Sequence, residues 1–117
     1  MQSLDKILKS TPGIDYEGAM KRMSDNTVFY AELLRLFFKD NVLQRLEGAI
    51  DREDYQRAVY EAHGLKGTAS NLGLIEIGKI AAQIHLHLKN NEVDKTESLM
   101  NDLRQAYQAV SDLTHQL

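Results

Sequence analysis

Apolar positions recur along this chain at intervals of three and four residues, and strand-like alternation runs over no useful length. The spacing predicts short helices over 4–9 and 16–23. Ser24 and Asp25 read as a helix start, and "NTVFYAELLRLFFKDNVLQRLEGAI" then reads as one long helix ending near Ile50. Asp51 with Asp54 forms a weak capping box that opens a helix over 52–72, with Gly73 placed as its stop. A further helix covers 75–89, "NNEVD" breaks the pattern, and a last helix covers 95–113 before a tail containing His115 that is expected to fray. Four long segments with short connections predict an all-α fold, an antiparallel up-down-up-down four-helix bundle with short N-terminal helices capping one end.

Length adds that residues 1–117 form a single domain with enough chain to bury a core. The formal net charge is −3, with both signs spread along the chain, so neither a nucleic-acid face nor a polybasic membrane anchor is expected. No apolar run approaches the ~20 residues that span a bilayer. The N-terminal "MQSLDKILKSTPG" carries charges inside its apolar stretch, unlike a secretory signal. A cytoplasmic location and a monomer are the expectations. With no cysteine, thiolate chemistry and disulfides are excluded.

Two interior glycines, Gly64 and Gly67, lie beside His63 in the fourth predicted segment. Each costs a helix about 0.5–1 kcal/mol relative to alanine. At ~100° per residue, Tyr55, Ala58, Val59, Ala62, Leu65, Ala69 and Leu72 form the core stripe, and His63 falls at its edge. His63, Lys66, Gly67 and Ser70 share that flank, beside Val59 and Tyr60. A neutral imidazole is nucleophilic near pH 7, the lysine would offset negative charge on an incoming group, and Gly67 would keep a side chain from crowding the approach. That combination suits a phosphoryl group. A packing or surface histidine is the simpler alternative.

The stretch "AHGLKGTASNLG" resembles the motif of histidine-containing phosphotransfer (HPt) domains: His63, Leu65, Lys66, Gly67, Ala69, Asn71, Leu72 and Gly73 match. Upstream, "FYAELLRLFFKDN" resembles the helix that precedes it in that family, and the likeness runs from about Ile14 to Asn91. The resemblance implies a helical bundle with the histidine exposed on its second long helix. It implies that His63 is the phosphorylated residue, Lys66 the nearby cation and Gly67 the clearance residue. Many family members carry Glu or Gln on the next helix to orient the imidazole; here that position is His85, with Gln83 or a water as alternatives. The implied function is a phosphocarrier shuttling a phosphoryl group between receiver-domain aspartates in a two-component phosphorelay, not an enzyme on its own. The implied partners are response-regulator receiver domains and a hybrid sensor histidine kinase. No cofactor of its own is implied; the receiver brings Mg²⁺. The rival reading is an interaction module that binds receiver or kinase domains without phosphotransfer.

Two features remain. His85 and His87 in "HLH" point about 200° apart on a helix and cannot chelate one ion together. A site using His63 with His85 lacks a carboxylate of matching spacing. In "LLRLFF", Leu33, Leu36 and Phe37 are expected on the core face, with Leu34 and Phe38 on a flank. Those two serve either the wide apolar face of a bundle or, with Val59, Tyr60 and Ser70, a docking patch beside His63.

Overall fold

The computed structural model describes residues 4–115, and of Leu4 only the backbone. The chain is an all-α helical bundle: α1 Leu4–Ser10, α2 Tyr16–Arg22, α3 Thr27–Lys39, α4 Val42–Asp51, α5 Tyr55–Asn71, α6 Ile75–Lys89 and α7 Thr96–Thr114, with a short 3-10 helix, Val93–Lys95, before α7. Side-chain caps start three of them. Asp15 accepts from the Gly18 N–H, Asn26 from Phe29 and Asp54 from Arg57. The start of α3 is therefore Asn26; Ser24 and Asp25 instead form a left-handed turn with φ of 54° and 59°. Asp51 likewise belongs to the end of α4, and Asp54 alone caps α5.

The expected single helix from Asn26 to Ile50 is two helices. The chain leaves α3 at Asp40 (ψ 144°), and the Asp40 carboxylate accepts from the Asn41 N–H at 3.0 Å. Asp40 also takes a two-pronged contact from the Arg45 guanidinium, at 2.9 and 3.2 Å. Arg45 Nε reaches on to Glu61 Oε2 on α5 at 2.7 Å. Glu61 is buried, and Arg57 approaches the same oxygen at 3.9 Å. This network fixes the α3–α4 joint against α5. A buried carboxylate is stable there because it is paired and hydrogen-bonded.

The break changes which face of α3 is buried. Tyr30, Leu34 and Phe37, spaced i, i+4, i+7, face the core, while Leu36 is 55% exposed and Leu33 half-buried. The expectation of Leu36 inside and Leu34 on a flank is thus reversed. Leu34, Leu46, Leu65, Ile77, Ile84 and Leu103 are fully enclosed, and burial stabilises each by roughly 1.5–3 kcal/mol relative to exposure.

On α5 the core stripe is small-residue rich: Ala58, Ala62 and Ala69 have no exposed surface. Gly78 on α6 completes the close approach, since a Cβ there would lie 3.1 Å from Ser70 Oγ. Contacts run in opposite order along these helices, Ser70 against Gly78 and His63 against His85.

The N-terminal helices brace the turn between α5 and α6. The Asp15 N–H donates to the Gly73 carbonyl (2.7 Å) and the Ile75 N–H to the Gly13 carbonyl (2.9 Å). Arg22 donates to the Asn71 and Ser70 carbonyls at the end of α5, and the Tyr30 hydroxyl to that of Leu72. Burial raises the Tyr30 pKa well above the ordinary phenol value, so it stays a donor. Gly73 takes φ +72°, and a Cβ there would meet the Asp15 carbonyl oxygen at 2.6 Å. Its expected role as the stop of α5 holds for both reasons.

Candidate functional site

His63 is exposed midway along α5, on the flank the hydrophobic pattern assigned to it. Lys66 is half-buried one turn on, with no carboxylate within 4 Å among the described residues. Gly67 and Ser70 are exposed on the same side of the helix, and Val59 is half-buried against the core.

The glycines have no internal explanation. Neither Gly64 nor Gly67 has a positive φ, and a Cβ added at either meets no atom within 4 Å. A methyl at Gly67 would therefore not touch the imidazole; only a longer side chain would obstruct the approach. Both positions keep open the space outside the helix next to His63. Turned toward α3 and α4, a hollow of about 350 Å³ is lined by Phe37, Val42, Tyr60, His63, Gly64 and Leu65, with Asp40, Arg45 and Glu61 at its polar end. Arg45 is engaged by two carboxylates and is not free to meet a ligand's charge.

On the other side of His63 stands His85, half-buried on α6. The two ring centroids are 5.2 Å apart and the planes tilted by 45°. No hydrogen bond joins these rings; they meet at a tilt across the α5–α6 seam. Burial, then Lys66, His63 and Lys89, hold the His85 pKa below the usual histidine value. Gln83 points away, into the groove between α6 and α7 with Glu76, Lys79 and Asp102, and takes no part. His87 Nδ1 lies 3.1 Å from Glu92 Oε1, separate from His85 as the helical spacing requires. No group of three or more His, Asp or Glu among the described residues is arranged to hold a metal ion.

The expected docking residues divide. Tyr60, one turn before His63, is 67% exposed, with the Arg57 guanidinium 5.2 Å from its ring centre. Ser70 is exposed too. Leu34 is fully buried and cannot dock a partner. Phe38 is half-buried, edge-on to Phe37 and Tyr107 at 4.8 Å each, and borders a different hollow with Thr114 and His115. Exposed apolar side chains that the spacing rule missed are Leu86, next to His85, Ile75 at the start of α6, and Val28, Phe29 and Leu36 on α3. The Tyr30–Leu34–Phe37 interval, counted from the Asn26 cap, is the signal that would have assigned the α3 face.

No described helix is long and apolar enough to cross a membrane. Residues 32–113 match the family model of the Hpt domain. The chain is similar to the phosphorelay intermediate protein rdeA of Dictyostelium discoideum, 28% identical over 68 residues. That match takes in 58% of this chain and 27% of the relative, so the chain spans about a quarter of it. No solved structure matches. The family match begins inside α3, later than the motif resemblance, and runs through α7. With the match covering most of the bundle, the chain belongs to the Hpt domain family, whose members act as phosphocarriers in phosphorelays.

Proposed function

We propose that this protein carries a phosphoryl group on His63 between receiver-domain aspartates. The lone pair of the ring nitrogen farther from the backbone attacks the phosphorus of an aspartyl phosphate. The N–P bond forms as the aspartyl O–P bond breaks, and the aspartate leaves as a carboxylate. The reverse step delivers the group to a second receiver. Lys66 offsets charge on the phosphoryl oxygens. The receiver supplies the acidic pocket and its Mg²⁺, with a hybrid sensor kinase as the upstream partner; this chain supplies a positioned nucleophile. It is a carrier that depends on its partners for catalysis, and a cytoplasmic location fits that role.

The observation that carries this reading is the pair of helix-destabilising glycines beside an exposed histidine, at positions where neither φ nor internal packing asks for glycine. Their benefit lies outside the chain, in the approach of another molecule. The test is incubation with a phosphorylated receiver domain. Acid-labile, alkali-stable label is expected on the protein and none on His63→Gln. Label of equal amount on His63→Gln overturns the assignment. Receiver binding with no label on either protein replaces it with a docking module.

A further inference from the structure

We infer that His85 is a binding residue for the phosphoryl group on His63, and that it takes up a proton as the group arrives. This inference rests on the function proposed above. The two rings stand 5.2 Å apart between centroids with no hydrogen bond joining them, and the His85 ring N–H has no hydrogen-bond partner among the described residues. Nothing buried in the protein needs that bond, because no enclosed side-chain polar atom lacks a partner among the described residues. A group attached to the His63 ring would therefore sit within reach of a neighbour that has hydrogen-bonding capacity to spare.

The electrostatics reverse when the phosphoryl group arrives. In the free protein the groups acting on His85 are Lys66 and His63 from α5 and Lys89 from its own helix, and none is acidic. Together with partial burial they keep His85 neutral, and its low proton affinity in this state has a purely local origin. Transfer turns the neutral His63 ring into an imidazolium bearing a dianionic phosphoryl group, a net gain of one negative charge. A unit charge at ~6 Å, in surroundings between water and protein interior, moves a neighbouring pKa by about one unit. The move is upward, and the resulting His85 imidazolium donates a charge-assisted hydrogen bond to a phosphoryl oxygen. Glu or Gln at this position cannot respond in that way: one is already charged near neutral pH and the other never is. By linkage, a phosphorylated form that binds an extra proton is favoured as pH falls through the His85 titration.

The experiment is a histidine side-chain NMR titration before and after phosphorylation by phosphoramidate, a donor that needs no receiver, carried far enough to the acid side to bracket the lowered His85 midpoint of the free protein. The His85 pKa should rise by about one unit in the phosphorylated protein and stay put in His63→Gln treated the same way. A rise below ~0.3 units, or a fall, overturns the inference. As a second measurement, the equilibrium between phosphorylated receiver and this protein is followed across the same range. The parent should shift toward the phosphorylated carrier at lower pH by up to about tenfold more than His85→Gln. Equal pH dependence of the two proteins also overturns it. A receiver that labels no histidine at all refutes the phosphocarrier reading instead, and the chemical phosphorylation keeps these two failures apart.

Discussion

Replacing Gly64 and Gly67 separates stability from transfer within one helix. Both lie in the interior of α5, neither uses a positive φ, and a Cβ at each enters open space. Alanine therefore meets no steric penalty and gains the full helix-propensity difference, about 0.5–1 kcal/mol per site. The two methyls touch nothing in common, so the gains add to about 1–2 kcal/mol. For a domain of this size that raises the melting temperature by roughly 4–8 °C. Function should respond in the opposite sense. Gly67→Leu projects a branched side chain into the approach beside His63 and should slow phosphotransfer at least ~10-fold, a cost of about 1.4 kcal/mol in the transfer step. The assay pairs urea denaturation of the single and double alanine variants with single-turnover transfer from a phosphorylated receiver to each variant and to Gly67→Leu. Destabilisation by the alanines would mean that the glycines have an internal packing role. Normal transfer to Gly67→Leu would show that clearance is not what Gly67 provides.

Gly73→Ala should do the reverse of the α5 glycines. It forces a left-handed φ and drives a Cβ against the Asp15 carbonyl, for a loss of about 2–4 kcal/mol in chemical denaturation. Lys66→Ala should slow transfer or shorten the lifetime of the phosphorylated form, while the stability changes by less than ~0.5 kcal/mol, because the lysine has no ion-pair partner among the described residues to lose. Arg45→Met strands the buried Glu61 with only the distant Arg57 and should cost about 1–3 kcal/mol, less than a fully enclosed pair because Arg45 is partly in water. Arg45 also holds the Asp40 carboxyl below the usual carboxylate range, and the stability this pairing adds is lost as pH falls, so the deficit of Arg45→Met relative to the parent should shrink when denaturation is repeated at acidic pH.

The parts of this fold that were legible in the sequence are those governed by neighbours in the chain. The α5 stripe Ala58, Ala62, Leu65, Ala69 and Leu72 is buried as its spacing demands, and His63 falls outside because its angle excludes it. The start of α6 and the break at "NNEVD" follow from equally local signals, with Asn91 in a left-handed turn. The α3–α4 joint was hidden because neither glycine nor proline marks it. It is created by Asp40 and Arg45 acting together with Glu61, which lies 16 positions beyond Arg45. Leu34 and Leu36 were exchanged for the same reason: "LLRLFF" is apolar at enough angles to suit several faces, and packing against α1, α2 and α7 chooses among them. At the site, the sequence pointed to His63, Lys66 and Gly67 as neighbours on one flank. It could not show that His85 meets the ring without a hydrogen bond, which depends on how closely an alanine-lined α5 and the Gly78 face of α6 approach.

The brace formed by α1–α3 on the α5–α6 turn has a kinetic consequence. Its hydrogen bonds join residues far apart in sequence, 42 positions for Tyr30 to Leu72 and 49 for Arg22 to Asn71. The seams between α4, α5, α6 and α7 join segments that follow one another directly. Closing long loops costs chain entropy before any contact repays it, so the sequential seams are expected to assemble first and the brace to dock last. Stability residing in contacts absent from the folding transition state is expressed as slow unfolding. Tyr30→Phe, which deletes one brace hydrogen bond, should therefore speed unfolding severalfold in stopped-flow measurements and leave the refolding rate nearly unchanged. Slowed refolding with unaltered unfolding would place the brace in the nucleus. On this view the N-terminal helices, most of which precede the region shared with the family, act as a latch: they set how long the bundle stays closed once it has formed.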